Sequence, residues 1–356
     1  MRLVFLGLSL SSSWGNGHAT TYRALLRGLA RRGHDIHFLE REQPWYAGNR
    51  DLTDPPYCSL HFYKSLTELD LFASLVAGAD AVIIGSYVPD CPYVLRWVES
   101  HRRGILGFYD IDTPVTLRKL AEGDGEYLEP WMIPCLDLYL SFTGGPTLRL
   151  LEQRYGARQA RALYCSVDAD AYAPTGAKRR WDLGYLGTYS PDRQPALETL
   201  LLEPARLRPE RRFVVAGPQY PAEIDWPSNV ERIEHLPPAE HADFYSSLGW
   251  TLNVTRADMV RAGYSPSVRL FEATACGTPV ISDIWPGIET ILASDRELKL
   301  VAETRDVLAA LDLPEAQRSA IGQAGRTRTL QAHTADRRAE ELEMYLRALV
   351  RVPVGA

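Results

Sequence analysis

Short apolar runs alternate along the chain with stretches whose apolar residues recur every three or four positions, and this alternation sets the expected elements. Leu3–Leu10 is a run of strand length. A polar loop, Ser11–Gly17, follows, and then Tyr22, Leu25, Leu26 and Leu29 recur at helical spacing between about Ala19 and Arg32. Gly33 stops that helix and His34–Glu40 reads as a second strand, completing a βαβ unit. Further strands are expected at Leu60–Lys64, Ala81–Ser86, Ile105–Asp112, Leu138–Phe142 and Ala162–Cys165. Helical patterns lie between most of them, at Leu66–Ala77, Tyr93–Arg102, Val115–Ala121 and Pro146–Tyr155. Such alternation predicts a parallel sheet covered on both faces.

Around Ala171–Arg180 the pattern breaks into a Pro- and Gly-containing basic stretch that reads as a linker. A second α/β series starts beyond it, with strands near Leu183–Leu186, Arg212–Ala216, Val230–His235, Trp250–Val254, Pro279–Ser282 and Leu298–Val301. Thr334–Leu349 closes the chain as an amphipathic helix with apolar positions at Leu342, Met344, Tyr345, Leu346, Leu349 and Val350, so one stripe requires burial. The expected organisation is therefore two α/β domains, residues 1–172 and 173–333, with a terminal helical segment over 334–356.

Composition narrows the function. With a net charge of −6 and a pI near 5.8, the chain is not a dedicated nucleic-acid binder, although a local basic cleft is compatible with that balance. Cys58, Cys91, Cys135, Cys165 and Cys276 are scattered without a CxxC pair, which reads as reduced thiols rather than a disulfide frame or zinc site. The apolar start Met1–Leu10 runs into Ser-Ser-Ser-Trp-Gly-Asn-Gly-His without a small-residue cleavage signature, so it reads as a buried strand and not a signal peptide. No run reaches the ~18 apolar residues of a membrane span. A soluble cytoplasmic protein is expected.

The chemistry concentrates in Gly263–Gly287. Ser265, Pro266 and Ser267 offer a hydroxyl cap and a first-turn proline, Val268–Cys276 is helical in composition, and Gly277 is a stop before the strand Pro279–Ser282 and Asp283. A helix start of this kind is an anion site, but its dipole contributes only about 0.3–2 kcal/mol, so a diphosphate needs cations beside it. Arg269 in the first turn and Arg256 after the strand Trp250–Thr255 are the candidates. Glu272 stands on a helix otherwise lined by Phe271, Ala273 and Ala275; it either binds a pair of sugar hydroxyls or is a solvated helix charge.

Other candidates each carry a plainer alternative. His18, opening the first helix after a Gly-containing loop, is placed to act as a general base toward an acceptor hydroxyl, or simply to hydrogen-bond its loop. Asp110 and Asp112 share one face at a strand end and can meet sugar or acceptor hydroxyls, cap a loop, or less readily hold a metal. Asp168-Ala-Asp170 shows how cheaply that spacing arises. Gly15, Asn16 and Gly17 form only a weak phosphate-loop signal, and Gly187, Thr188 and Gly217 end strands where ligands sit in parallel sheets or where ordinary turns occur. Trp14, Trp45, Tyr46, Trp131 and Trp285 can stack on sugar rings or a base, or fill the core.

With two α/β halves, the Gly15-Asn-Gly-His18 loop, Leu29-Ala-Arg-Arg-Gly-His-Asp-Ile36 and Phe271-Glu-Ala-Thr-Ala-Cys-Gly-Thr-Pro-Val-Ile-Ser-Asp283, the chain resembles a GT-B glycosyltransferase over essentially its whole length. More narrowly it resembles the CgeB-like spore-maturation group. The resemblance implies two Rossmann-like domains, a nucleotide-sugar donor on the second, an acceptor on the first, catalysis between them, and a last helix crossing back onto the first domain. It assigns Gly15, Asn16 and Gly17 to closing over the donor or acceptor, Arg256, Ser265, Ser267 and Arg269 to the diphosphate, and Glu272 to the ribose. In related retaining enzymes Glu272 would be the second Glu of a Glu-x7-Glu pair; the first position is Tyr264 here, which leaves the sugar-facing role and the retaining outcome open. UDP is the expected nucleotide, with no metal and no cofactor beyond the donor substrate. The acceptor stays open among small molecules, glycans, peptides and nucleic acid. A nucleotide-sugar epimerase, or a catalytically silent surface or assembly protein on this fold, remains the alternative.

Overall fold

A computed structural model of the chain describes residues 1–14 and 17–350. The chain divides into two compact units, Met1–Cys165 together with the segment from Ala335 onward, and Ser166–Thr334.

The first unit is built on seven strands: β1 (Arg2–Gly7), β2 (Asp35–Arg41), β3 (Ser59–Tyr63), β4 (Ala81–Gly85), β5 (Ile105–Asp110), β6 (Leu138–Ser141) and β7 (Ala160–Ala162). All pair in parallel, in the order β3-β2-β1-β4-β5-β6-β7. Alternation within each strand splits the core between the two faces. Val4, Leu6, Val82 and Ile84 enter one cluster, Leu3, Phe5, Ala81 and Ile83 the other.

The second face is closed by two helices. Helix Gly17–Arg31 and the terminal helix Ala335–Val350 pack together, and Ala339, Leu342 and Leu346 join the same cluster as Leu25, Leu26 and Leu29. Gly28 permits that approach: a Cβ there would lie 2.9 Å from the Ala335 carbonyl oxygen. Arg32 and Glu343 pair at 2.5 Å on the rim.

The second unit carries β8 (Trp181–Leu186), β9 (Phe213–Ala216), β10 (Val230–Ile233), β11 (Leu248–Asn253), β12 (Val280–Ser282) and β13 (Lys299–Leu300), again all parallel, in the order β10-β9-β8-β11-β12-β13. The order reverses at β8, so β8 and β11 flank the switch where ligands meet parallel sheets.

Several boundaries depart from the hydrophobic pattern, each for a visible reason. The first strand ends at Gly7, not Leu10, because the amides of Leu10 and Ser11 donate to the Glu40 carboxylate (2.6 and 2.9 Å) instead of to a strand. The seventh strand is Ala160–Ala162 rather than Ala162–Cys165, and Leu66–Ala77 divides into a 3-10 segment, Leu66–Phe72, and an α-helical turn, Ala73–Ala77. Helix Glu315–Ala332 has no clean apolar stripe; it packs through glycines instead. A Cβ at Gly322 or Gly325 would meet the carbonyl oxygens of Gly277 at 2.3 Å and Glu297 at 2.7 Å. Among the described residues no helix is long and apolar enough to cross a membrane.

Candidate functional site

In the second unit, parallel pairing brings the C-terminal ends of β9, β8, β11 and β12 side by side, and most of the donor-site candidates hang from those ends. Gly187 and Thr188 follow β8, Gly217 follows β9, Arg256 lies three residues past β11, and Asp283 follows β12. Gly217 has φ +140°, and a Cβ on it would lie 2.1 Å from the Gly187 carbonyl oxygen, so the two loops are in close backbone contact.

Helix Val268–Ala275 faces this edge. Ser267 is its N-cap residue but makes no side-chain cap; its hydroxyl donates to Asn253 Oδ1 at 2.7 Å. The expected hydroxyl cap is therefore not formed, because Asn253 takes the serine hydroxyl, and Pro266 precedes the cap residue instead of opening the helix. Ser265 is buried. Gly277, with φ +76°, ends the helix as a left-handed residue.

Arg269 is only 9% exposed. Its Nε donates to the Leu186 carbonyl (2.5 Å), its Nη1 to Asn253 Oδ1 (3.2 Å), and the guanidinium lies 4.7 Å from the centre of the Tyr185 ring. The side chain thus ties the helix start to the end of β8. Asn253 is itself oriented by donating to Ser282 Oγ (3.0 Å), while Asp283 accepts from the Thr255 amide and hydroxyl at 2.9 and 2.8 Å. Burial raises the Asp283 carboxyl above its ordinary range against those bonds.

A third arginine belongs here that the sequence reading missed. Arg193 precedes helix Gln194–Leu197, and its Nη2 donates to the Thr188 carbonyl at 2.7 Å, folding it back over the β8 loop. Burial, and then the Arg269 and Arg256 charges, pull its guanidinium below the usual arginine range. The Arg193 guanidinium thus feels the Arg269 and Arg256 charges beside a helix start, with Asp192, whose carboxylate accepts from the Ala257 amide at 2.9 Å, as a nearby counter-charge. Such a cluster is relieved by an anion. The signal that would have found Arg193 is a basic residue at the helix start after the first strand of the second half.

Glu272 is 7% exposed and accepts from the Tyr245 hydroxyl at 3.2 Å. Burial raises the Tyr172 hydroxyl, and the Glu272 charge adds to that rise, so Tyr172 belongs to the same pocket of polar groups. Glu272 is therefore not a solvated helix charge. Tyr264, where the family's first Glu would stand, has φ +49°, donates its amide to the Pro286 carbonyl (2.6 Å) and packs on Gly287, where a Cβ would come within 2.4 Å of its ring. The position serves the Trp285-Pro286-Gly287 turn.

In the first unit the same sheet edge carries the other candidates. His18 is the second residue of helix Gly17–Arg31, and its Nε2 lies 3.8 Å from Asp112 Oδ2. Tyr87 packs edge-on to the imidazole, ring centres 5.2 Å apart, and its hydroxyl donates to the same Asp112 oxygen at 3.4 Å. Tyr87 holds φ +63°, a conformation costly for a residue with a side chain. Tyr87, Gln219 and Tyr264 all have positive φ; the first two follow β4 and β9, and Tyr264 lies past helix Ala257–Ala262. Strain is thus stored on the edges where the candidates gather.

Asp110 and Asp112 do not act as a matched pair. Asp110 is fully buried, accepts from Tyr139 Oη (2.6 Å) and Thr116 Oγ1 (2.8 Å), and is pushed by burial up to about 6 against those two bonds. Asp112, the residue before helix Thr113–Glu122, is the accessible carboxylate and the one near His18. Gly17 is described, whereas Gly15 and Asn16 lie outside the described residues.

Residues 193–344 match a family described as glycosyl transferase-like. No curated protein sequence matches the chain. Among solved structures, sucrose-phosphate synthase from Thermosynechococcus elongatus superposes with a TM-score of 0.70 at 15% identity, over 98% of this chain and 99% of that one. HepE from Anabaena, solved in complex with UDP and glucose, gives 0.68 at 13% identity over 98% and 100%. An alpha-glucosyltransferase in complex with UDP-glucose and DNA containing an abasic site gives 0.71 at 12% identity over 97% and 99%. At such identities the likeness carries the fold, two Rossmann-like units each on a parallel sheet. The chain thus carries a glycosyl transferase-like domain over residues 193–344 and is built on the GT-B fold.

Proposed function

We propose that the protein transfers a sugar from a UDP-sugar to an acceptor hydroxyl, with the donor held by the second unit and the acceptor by the first, and without a metal ion. The observation that carries this reading is that Arg269 and Arg193 bond to the end and loop of β8 while the Ala257 amide next to Arg256 bonds Asp192 next to Arg193, which gathers the three arginines' chain positions at the switch between β8 and β11. A nucleoside diphosphate supplies negative charge beyond what Asp192 offers the three arginines, and the positive end of the helix dipole adds to their attraction for it. Complexes of HepE and of the alpha-glucosyltransferase with UDP support the choice of nucleotide.

In this reading the loops of Gly187, Thr188 and Gly217, with Ser265 and Ser267, line the donor, and Glu272 accepts hydrogen bonds from the ribose hydroxyls. When the bond from the sugar's anomeric carbon to the diphosphate oxygen breaks, the arginines hold the charge on the departing UDP. His18 takes the acceptor hydroxyl proton, Asp112 stabilises the resulting imidazolium, and Asp110 supports that strand end from the interior. We further assign the chain to the CgeB-like group and to the cytoplasm; the motif residues support the first, and the absence of any disulfide among the five cysteines the second.

The test is incubation with UDP-glucose, UDP-galactose and UDP-N-acetylglucosamine, with and without an acceptor panel, following UDP release alongside UDP-induced thermal stabilisation. Acceptor-dependent UDP release is expected. Isomerisation of the donor without acceptor would make the protein an epimerase, and failure to bind any nucleotide would make it a silent scaffold.

A further inference from the structure

Of the eight tryptophans, only Trp14 and Trp45 expose about half or more of their surface, at 58% and 53%. They lie on neighbouring connections of the first unit. Trp14 precedes helix Gly17–Arg31 in the segment after β1, and Trp45 sits in the short helix Pro44–Ala47 after β2, the parallel neighbour of β1. A hydrogen-bond relay joins their backbones: the Trp14 amide donates to Ser12 Oγ (3.3 Å), Ser12 Oγ to the Asn49 carbonyl (2.7 Å), and Asn49 Nδ2 to the Trp45 carbonyl (2.8 Å).

The supports are stiff. Ser9 and Ser11 donate their hydroxyls to Glu40 at 3.0 and 2.7 Å, in addition to the two amide bonds already described, and Glu40 is 1% exposed. Ser13 is held by Asp51 through its amide (3.1 Å) and hydroxyl (2.6 Å). Two indoles are therefore left in solvent on a frame that is fixed, four residues ahead of His18 in one case. Leaving large apolar rings in water is unfavourable, and two exposed indoles on linked, neighbouring connections point to a ligand that covers them.

The charges of this surface decide the class of ligand. Arg23 forms a two-point pair with Asp51 (3.0 and 2.6 Å), Arg41 pairs with Asp90, and Arg50 lies 3.6 Å from Glu42 while its guanidinium stacks 4.1 Å above Phe62. Each arginine on these connections already faces a carboxylate. A nucleic-acid acceptor needs cations to neutralise successive phosphates, and this surface has spent them on internal pairs. A neutral pyranose needs instead an apolar ring to cover its axial C–H face and polar groups for its hydroxyls.

Building on the glycosyl transfer proposed above, we infer that Trp14 and Trp45 form an acceptor subsite for an uncharged carbohydrate, so that the acceptor is a neutral glycan and not DNA or RNA.

The experiment is titration calorimetry of the full-length protein with maltotetraose, cellotetraose and chitotetraose, and separately with a 13-base-pair DNA duplex, on wild type, Trp14→Ala and Trp45→Ala. Both side chains are exposed, so the variants should melt within a few degrees of wild type, which confirms folding. Binding of at least one tetrasaccharide is expected, weakened roughly tenfold or more by either substitution, a change of about 1.4 kcal/mol. No binding of any tetrasaccharide, binding that neither substitution alters, or duplex binding that the substitutions weaken would each overturn the inference. UDP titrated in parallel separates the two readings. Loss of UDP binding would sink the donor assignment while leaving the oligosaccharide result standing.

Discussion

Replacing Arg193 by alanine tests the donor site most cleanly, because among the described residues the wild-type side chain makes a single hydrogen bond, to the carbonyl of exposed Thr188, and its loss leaves no buried partner unpaired. Arg269 is a poorer probe. Removing it strips donors from the Leu186 carbonyl and from Asn253 in the interior, so stability and affinity would fall together. If Arg193 contacts the diphosphate, its charge-assisted hydrogen bond contributes about 1.5–3 kcal/mol. UDP affinity should then drop roughly 10- to 150-fold. The neighbouring arginines make the lower end the better expectation, since Arg193 sits against the Arg269 and Arg256 charges and part of its contact is offset by that repulsion. Arg193→Lys should recover part of the loss, keeping the charge but not the planar fork. The decisive comparison is calorimetry with UDP and with uridine, which carries no phosphate. The penalty should be large for UDP and near zero for uridine. An equal penalty for both ligands, or none for either, would show that Arg193 does not meet the phosphates, and the cluster would then be a structural feature of the β8 loop.

Three further outcomes follow from the same geometry. Glu272→Gln keeps an oxygen for Tyr245 but loses the charge, so it should raise the KM for the donor with little change in melting temperature, and a 2′-deoxyribose donor should bind wild type weakly yet carry no further penalty in Glu272→Ala. If the deoxy penalty persists in full in the alanine variant, something else holds the ribose. Asp110 has its carboxyl raised from 3.8 to about 6 by burial, so the folded state favours the protonated form, and the stabilisation from that proton is complete below the unfolded value near 4 and lost as pH rises through about 6. Wild type should therefore gain on Asp110→Asn as pH falls from 7 to 4, by up to roughly 3 kcal/mol, read from denaturant melts at each pH; a pH-independent difference would mean that the buried carboxyl titrates normally. Turnover should survive EDTA, since arginines and a helix start stand where a cation would; loss in chelator and recovery with manganese or magnesium would reassign Asp112 as a ligand.

The alternation of apolar runs and helical stripes by itself determined a great deal: two α/β halves, their parallel sheets, and the loop–helix–strand run around Glu272. Those features are local. Strand runs such as Val82–Ile84 are buried on both sides and need no partner to be recognised, and Gly277 stops its helix through its own φ. Tertiary structure decided what depends on which distant groups meet. Ser267 would cap its helix in isolation, but Asn253, fourteen residues earlier, captures its hydroxyl. Leu10 has the composition of a strand, and a carboxylate from the next strand takes its amide. Asp110 and Asp112 are equivalent in spacing, yet strand and helix cap give one a sealed interior and the other access to His18. Arg193 belongs to no motif, and only the pairing of β8 with β11 sets it near Arg256 and Arg269. Helix Glu315–Ala332 hides for the opposite reason, because its glycines bury backbone and leave no apolar stripe to read. Periodicity records how much of an element is buried, whereas the site is made by the few polar side chains whose partners lie far away in the chain, and those pairings exist only once the sheets have formed.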